Sequence, residues 1–154
     1  MVKVFVFYDS KYGNTKLAAE KIAEGICSKG IDVDVGYVKA VPPEHAVGYD
    51  TIVLGSPNHM ASPSRAMKGF IGGLSKVNLT AQYVAVFGTY AGKERQQDRA
   101  EKKLEALVQQ KLPKLKLLLP GLSVHVNGVS GPLVDGELPK CEEYGRKIAS
   151  QLKV

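Results

Sequence analysis

The chain has 154 residues, 44% of them hydrophobic and 23% charged, which fits one ordinary globular domain spanning residues 1–154. Its two cysteines, Cys27 and Cys141, form no metal or redox spacing, no apolar run approaches the roughly 18 residues needed to span a bilayer, and no signal-peptide layout is present, so a cytoplasmic protein is expected. The net charge of +6 favours anionic ligands or acidic partners, yet the basic residues are dispersed without a nucleic-acid motif, so neither nucleic acid nor membrane is an expected partner.

The first run, Val2 to Tyr8, is nearly continuously apolar after Lys3 and predicts a strand buried on both faces. Asp9 to Asn14 is turn-forming, and Ala19, Ile22, Ala23 and Ile26 then share one face of a helix ending at Gly30. Ile31 to Val38 alternates like an edge strand, and Pro42 and Pro43 leave room for only a short helical turn. Thr51 to Gly55 predicts a third, buried strand. After it, Ser62 is placed to cap, and Pro63 to open, a helix whose Met67, Phe70, Ile71 and Leu74 face inward. Tyr83 to Phe87 predicts a fourth strand with a turn over Gly88 to Gly92, followed by a Lys-rich helix with Ala100, Leu104, Leu107 and Val108 inside. A fifth strand lies within Leu115 to Val126, broken or bent at Pro120 and Gly121. The last helix follows Pro139, with Cys141, Tyr144, Gly145, Ile148 and Leu152 on one side.

Alternating strands and helices predict a parallel sheet covered on both faces, with ligands bound at the carboxyl ends of its strands. The loop Ser10-Lys11-Tyr12-Gly13-Asn14-Thr15 offers hydroxyls, an amide and backbone N–H groups before a helix N-terminus, a setting suited to a phosphate. It carries neither a Walker A ending nor G-x-G-x-x-G, which disfavours a nucleoside triphosphatase and a dinucleotide-binding Rossmann protein. The plainer alternative is that Ser10, Asn14 and Thr15 only cap the helix. His59 is a candidate hydrogen-bonding or proton-shuttling group. Cys27 and Cys141, near apolar stripes, are expected to be inert, and His45 and His125 look isolated.

The run Val6 to Ile22 (VFYDSKYGNTKLAAEKI) resembles the phosphate-loop signature of the flavodoxin family. Strand three ending in Gly55-Ser56-Pro57, strand four ending in Gly88-Thr89-Tyr90, and a closing Cys141-x-x-Tyr144-Gly145 helix resemble the flavodoxin-like domain of A-type flavoproteins and their single-domain relatives. The resemblance covers essentially the whole chain. It implies an α/β, flavodoxin-like, doubly wound five-stranded parallel sheet of order 2-1-3-4-5 with helices on both faces.

It also implies FMN as cofactor, with its phosphate wrapped by Ser10, Lys11, Tyr12, Gly13, Asn14 and Thr15. The flavin ring is then expected between Ser56, Pro57, Asn58, His59 and Met60 of the second loop and Gly88, Thr89, Tyr90, Ala91 and Gly92 of the third. The family commonly stacks a Trp on one side of the ring and a Tyr on the other. This chain has no Trp, Tyr90 takes the place of the third-loop aromatic, and Lys93-Glu94 follow where the A-type pattern continues differently. One missing aromatic stack weakens a flavin by roughly one power of ten at most.

Three functions stay open from the sequence. The first is an FMN-binding electron carrier that needs no catalytic side chain or metal and meets a redox partner protein through that partner's acidic face. The second is an FMN-dependent NAD(P)H (quinone) reductase using His59 or Tyr90, in which a homodimer completes the nicotinamide pocket. The third is a flavin-free binding module. A phospho-acceptor receiver is disfavoured because Leu54-Gly55-Ser56 lacks the required Asp.

Overall fold

The apolar runs of the sequence become the inner strands of one sheet. In the computed structural model, which describes residues 2–59, 62–92, 99–128 and 130–152, the elements in chain order are β1 (Lys3–Tyr8), α1 (Asn14–Cys27), β2 (Asp32–Tyr37), a 3-10 turn (Pro43–Ala46), β3 (Thr51–His59), β4 (Ser62–Pro63), α2 (Arg65–Leu74), β5 (Tyr83–Ala91), α3 (Arg99–Lys111), β6 (Lys116–Leu117), β7 (Leu122–Val126) and α4 (Glu137–Leu152). The sheet runs β2-β1-β3-β5, and β6 and β7 share the fifth position end to end. All of these pairings are parallel, which gives the expected 2-1-3-4-5 order. β2 is half exposed, as an edge strand should be.

The fifth strand is interrupted where Pro120 and Gly121 fall. β6 pairs with Tyr83 and Val84, and β7 with Phe87 to Ala91. Side chains then do for the gap what a ladder would have done. Glu105 Oε2 accepts from the Gly121 N–H at 2.8 Å, and Ser123 donates its hydroxyl to the buried Glu101 carboxylate. The Tyr144 hydroxyl lies 3.1 Å from the Val86 carbonyl and 3.0 Å from that of Pro120. Burial, with the Glu105 and Glu101 carboxylates next, pushes the Tyr144 phenol well above its usual range.

α4 begins at Glu137, ahead of Pro139, and three further boundaries differ from the sequence reading for a pairing reason. β3 continues through Ser56 and Pro57, which pair with Gly88 and Thr89, and on to Asn58 and His59, which turn back against Pro63 and Ser62. β5 likewise runs through the expected turn at Gly88 to Ala91, because β7 is there to pair with it. Ser62 and Pro63 form β4 instead of a helix start. The cap of α2 is Ser64, whose side chain accepts from the Met67 N–H at 3.2 Å.

Alternation along the strands sends side chains to two cores. Val4, Val6, Val53, Ala85, Phe87 and Val124 meet α1 and α4, while Phe5, Phe7, Ile52, Leu54, Val84 and Val86 meet α2 and α3. The closing Cys-x-x-Tyr-Gly motif is thereby explained: Cys141 fills the first core, Tyr144 ties the interrupted strand, and Gly145 lies against α1.

Cys27, expected at an apolar stripe, is exposed at the end of α1. Cys141 is fully buried, and burial first, then the Glu137 carboxylate, push its thiol from 9.0 up to about 12, with Lys140 opposing. The folded state therefore holds this proton more tightly than the unfolded chain. Its contribution to stability is complete below pH 9.0 and is lost as pH rises from there toward about 12. Urea titrations across that range are expected to show a shallower alkaline decline for Cys141→Ala than for the wild type, and equal slopes would contradict the assignment.

Candidate functional site

A cleft of about 370 Å³ opens at the carboxyl ends of β1, β3 and β5, where their following segments converge. Its walls are Ser10, Lys11, Tyr12, Asn14 and Thr15 from the first loop, Pro57 and Asn58 from the second, Thr89, Tyr90 and Ala91 from the third, and Val126 from β7. The size falls in the range of small-molecule and cofactor sites.

The first loop is built around a left-handed turn. Gly13, at φ +90°, occupies the cap position of α1 in a conformation that L side chains rarely adopt, and its N–H donates to Ser10 Oγ at 3.0 Å. No side chain caps α1, and its first turn carries no acidic residue. The reading of Ser10, Asn14 and Thr15 as mere caps therefore fails. Asn14 and Thr15, which open α1, line the cleft, so the uncapped first turn, with its orphan N–H groups and the positive end of the helix dipole, stands at the cleft wall. Lys11 is exposed, with Nζ 5.4 Å from the Tyr12 ring centroid.

Two buried hydroxyls join the first loop to the third. Thr15 Oγ1 and Thr89 Oγ1 lie 2.8 Å apart, at 2% and 4% exposure, so one hydroxyl donates to the other and the accepting one keeps its own proton for a further partner. In the second segment, Asn58 Oδ1 is buried with no hydrogen-bond partner among the described residues. Such an orphaned acceptor is costly unless something in the site meets it.

Tyr90, expected as the third-loop aromatic, lines the cleft. It is 4% exposed and stacks on His125, ring centroids 4.7 Å apart and planes 5° from parallel. His125 is therefore not isolated. Ser56 does not line the cleft, because its hydroxyl donates to the Pro57 carbonyl and accepts from the Ser64 N–H, both at 2.9 Å, docking the start of α2. Gly13, Gly88 and Gly92 shape the backbone without lining the walls. The His59 side chain, Met60, Lys93 and Glu94 lie outside the described residues. Val126 escaped the sequence reading because its strand was located only loosely, although the end of a fifth parallel strand belongs at the same edge.

A flavodoxin domain model matches residues 5–125. The chain belongs to the flavodoxin family. It is 33% identical over 109 residues to a diflavin flavoprotein of Thermosynechococcus vestitus, covering 66% of this chain and 18% of that protein. Over 71 residues it is 41% identical to a flavodoxin of Aquifex aeolicus, covering 46% of this chain and 38% of the other. Among solved structures, a flavodoxin from the domain Archaea superposes with a TM-score of 0.82 at 26% identity, covering 99% of this chain and 100% of that one. The chain thus spans less than two thirds of the length of the curated relatives it matches.

FMN is the cofactor of this family, and the residues present fit it. An uncapped helix start suits the dianionic phosphate, the orphaned Asn58 Oδ1 suits an N–H donor of the ring, and Pro57, Tyr90 and Val126 offer apolar surface. Among the described residues no group of three or more His, Cys, Asp or Glu is placed to hold a metal, and no helix is long and apolar enough to cross a membrane.

Proposed function

We propose that this chain is an FMN-binding, flavodoxin-like electron carrier, with the flavin held by the segments that follow β1, β3 and β5. The observation that carries the reading is the uncapped N-terminus of α1, whose Asn14 and Thr15 line a cleft shared by those three segments. Bound FMN supplies the redox chemistry. The protein's part is to hold and tune it. The first-turn N–H groups of α1 and the Ser10 to Thr15 loop bind the phosphate, Asn58 accepts from the ring edge, and the Thr15–Thr89 pair keeps the phosphate and ring segments in fixed relation.

The described side chains of the cleft include no paired acid and base for a proton-transfer reaction, which favours a carrier over a self-contained enzyme. Tyr12 and Lys11 of the cleft wall are exposed, as are Lys16 and Leu17 in the first turn of α1, with Tyr12 at 50% and Leu17 at 47%. Exposed lysines on this loop and helix start, on a chain of net charge +6, fit a redox partner whose docking face is acidic.

The test mixes FMN-loaded protein with NADH or NADPH. A carrier oxidises neither faster than free FMN does, and after chemical reduction it passes electrons to an acidic acceptor protein at rates that fall as salt rises. Rapid NAD(P)H oxidation supports the quinone-reductase reading instead, and rates indifferent to salt contradict the acidic docking face.

A further inference from the structure

Directly opposed residues on adjacent strands present their side chains on the same face of the sheet, and Tyr90 of β5 is opposed by His125 of β7. The result is the parallel ring stack described above. The imidazole makes a second contact on the same segment: its Nε2 lies 3.0 Å from the Gly92 carbonyl oxygen. A carbonyl only accepts, so Nε2 carries the proton of this bond. The His125 backbone is fixed in turn, since its N–H donates to Glu137 Oε1 at 2.8 Å and its carbonyl accepts from the Val134 N–H at 3.0 Å. Lys140 holds the other Glu137 oxygen at 2.9 Å.

We infer that His125 is a positioning residue for the flavin-facing third segment, backing the Tyr90 ring and pinning the Gly92 carbonyl so that Tyr90, Ala91 and Gly92 are presented in one conformation. The inference rests on the reading that FMN occupies the cleft, and it adds a residue outside the three loops to the machinery that shapes the ring site. The arrangement is economical in residues. One side chain, anchored by α4 through Glu137, restrains both ends of a three-residue segment, two members of which line the cleft. His125 itself is absent from the cleft wall, so it acts only through its neighbours.

Two variants divide the contacts: His125→Phe keeps an aromatic ring for the stack and loses the donor, while His125→Gln keeps a donor and loses the ring. Each is expected to weaken FMN roughly fivefold, about the loss of one ordinary hydrogen bond, and to alter the absorbance bands of the bound flavin. In flavin-free protein, the Gly92 amide resonance should move most in His125→Phe and the Tyr90 ring resonances most in His125→Gln. A lowered melting temperature, with those resonances and the flavin bands unchanged, would show a merely structural histidine and overturn the proposal. Should the wild type itself retain no FMN, the flavin reading falls. The Gly92 and Tyr90 resonances of the same variants still decide whether His125 positions the segment, moved resonances upholding it and unmoved ones overturning it.

Discussion

Replacing Gly145 with valine is expected to lower the unfolding free energy by about 3 kcal/mol, at the upper end of ordinary overpacking costs, with an unchanged urea m-value. A Cβ at Gly145 would run into the carbonyl oxygen of Ile22, and one at Gly25 would run into that of Glu142. These are backbone atoms of the facing helix, so no side chain can swing away to make room. Nor can the helices separate cheaply. Ile22 and Ile26 of α1 and Ile148 of α4 are fully buried in the same core, and moving either helix outward would open that core. Glycine inside a helix costs about 1 kcal/mol relative to alanine, so in the absence of this contact the substitution Gly25→Ala would stabilise the protein. The sign of the Gly25→Ala effect therefore separates close helix approach from ordinary propensity. A midpoint raised by Gly25→Ala, or unchanged in Gly145→Val, would contradict the packing.

The second large effect is expected at the link between the phosphate and ring segments. Thr15→Val strands the buried Thr89 hydroxyl, at a cost of about 1 to 3 kcal/mol in stability, and lets the first loop shift against the third. FMN affinity should fall about tenfold or more, equivalent to at least about 1.4 kcal/mol. The double variant Thr15→Val/Thr89→Val provides the decisive comparison. Removing both hydroxyls leaves no stranded group, so much of the stability should return, because paired apolar replacement is close to neutral. FMN affinity should stay low, since the polar tie and the phosphate-side hydroxyl are still missing. If affinity recovers along with stability, Thr15 matters only to the fold. If Thr15→Val binds FMN as the wild type does, the phosphate lies elsewhere.

Much of this architecture was legible in the residues, for physical reasons that can be named. β1, β3 and β5 are covered on both faces, and that demand leaves continuous apolar runs that survive any uncertainty about their ends. The edge strand β2 announced itself by alternation, and Pro120-Gly121 marked the break in the fifth strand. What could not be read depends on partners far along the chain. The strand character of Ser56 to His59 and of Gly88 to Ala91 exists because each pairs with a segment that local sequence does not reveal. Ser64 displaced Ser62 as the cap of α2 once Ser62 and Pro63 were drawn into pairing with β3.

In the candidate site, the first loop could be identified because hydroxyls, glycine and a helix start are adjacent in sequence. The Thr15–Thr89 tie spans 74 residues and the Tyr90–His125 stack joins separate strands, and neither leaves a local trace. Tyr90 was singled out by position alone, and its burial against His125 became visible only in three dimensions.

Retention of FMN by the cleft between these segments can be read directly. Purified protein, incubated with excess FMN and freed of unbound ligand, should keep the flavin absorbance bands at about one flavin per chain, and Thr15→Val treated identically should keep markedly less. A folded wild-type protein that emerges colourless would contradict FMN binding and leave the fold serving as a flavin-free binding module.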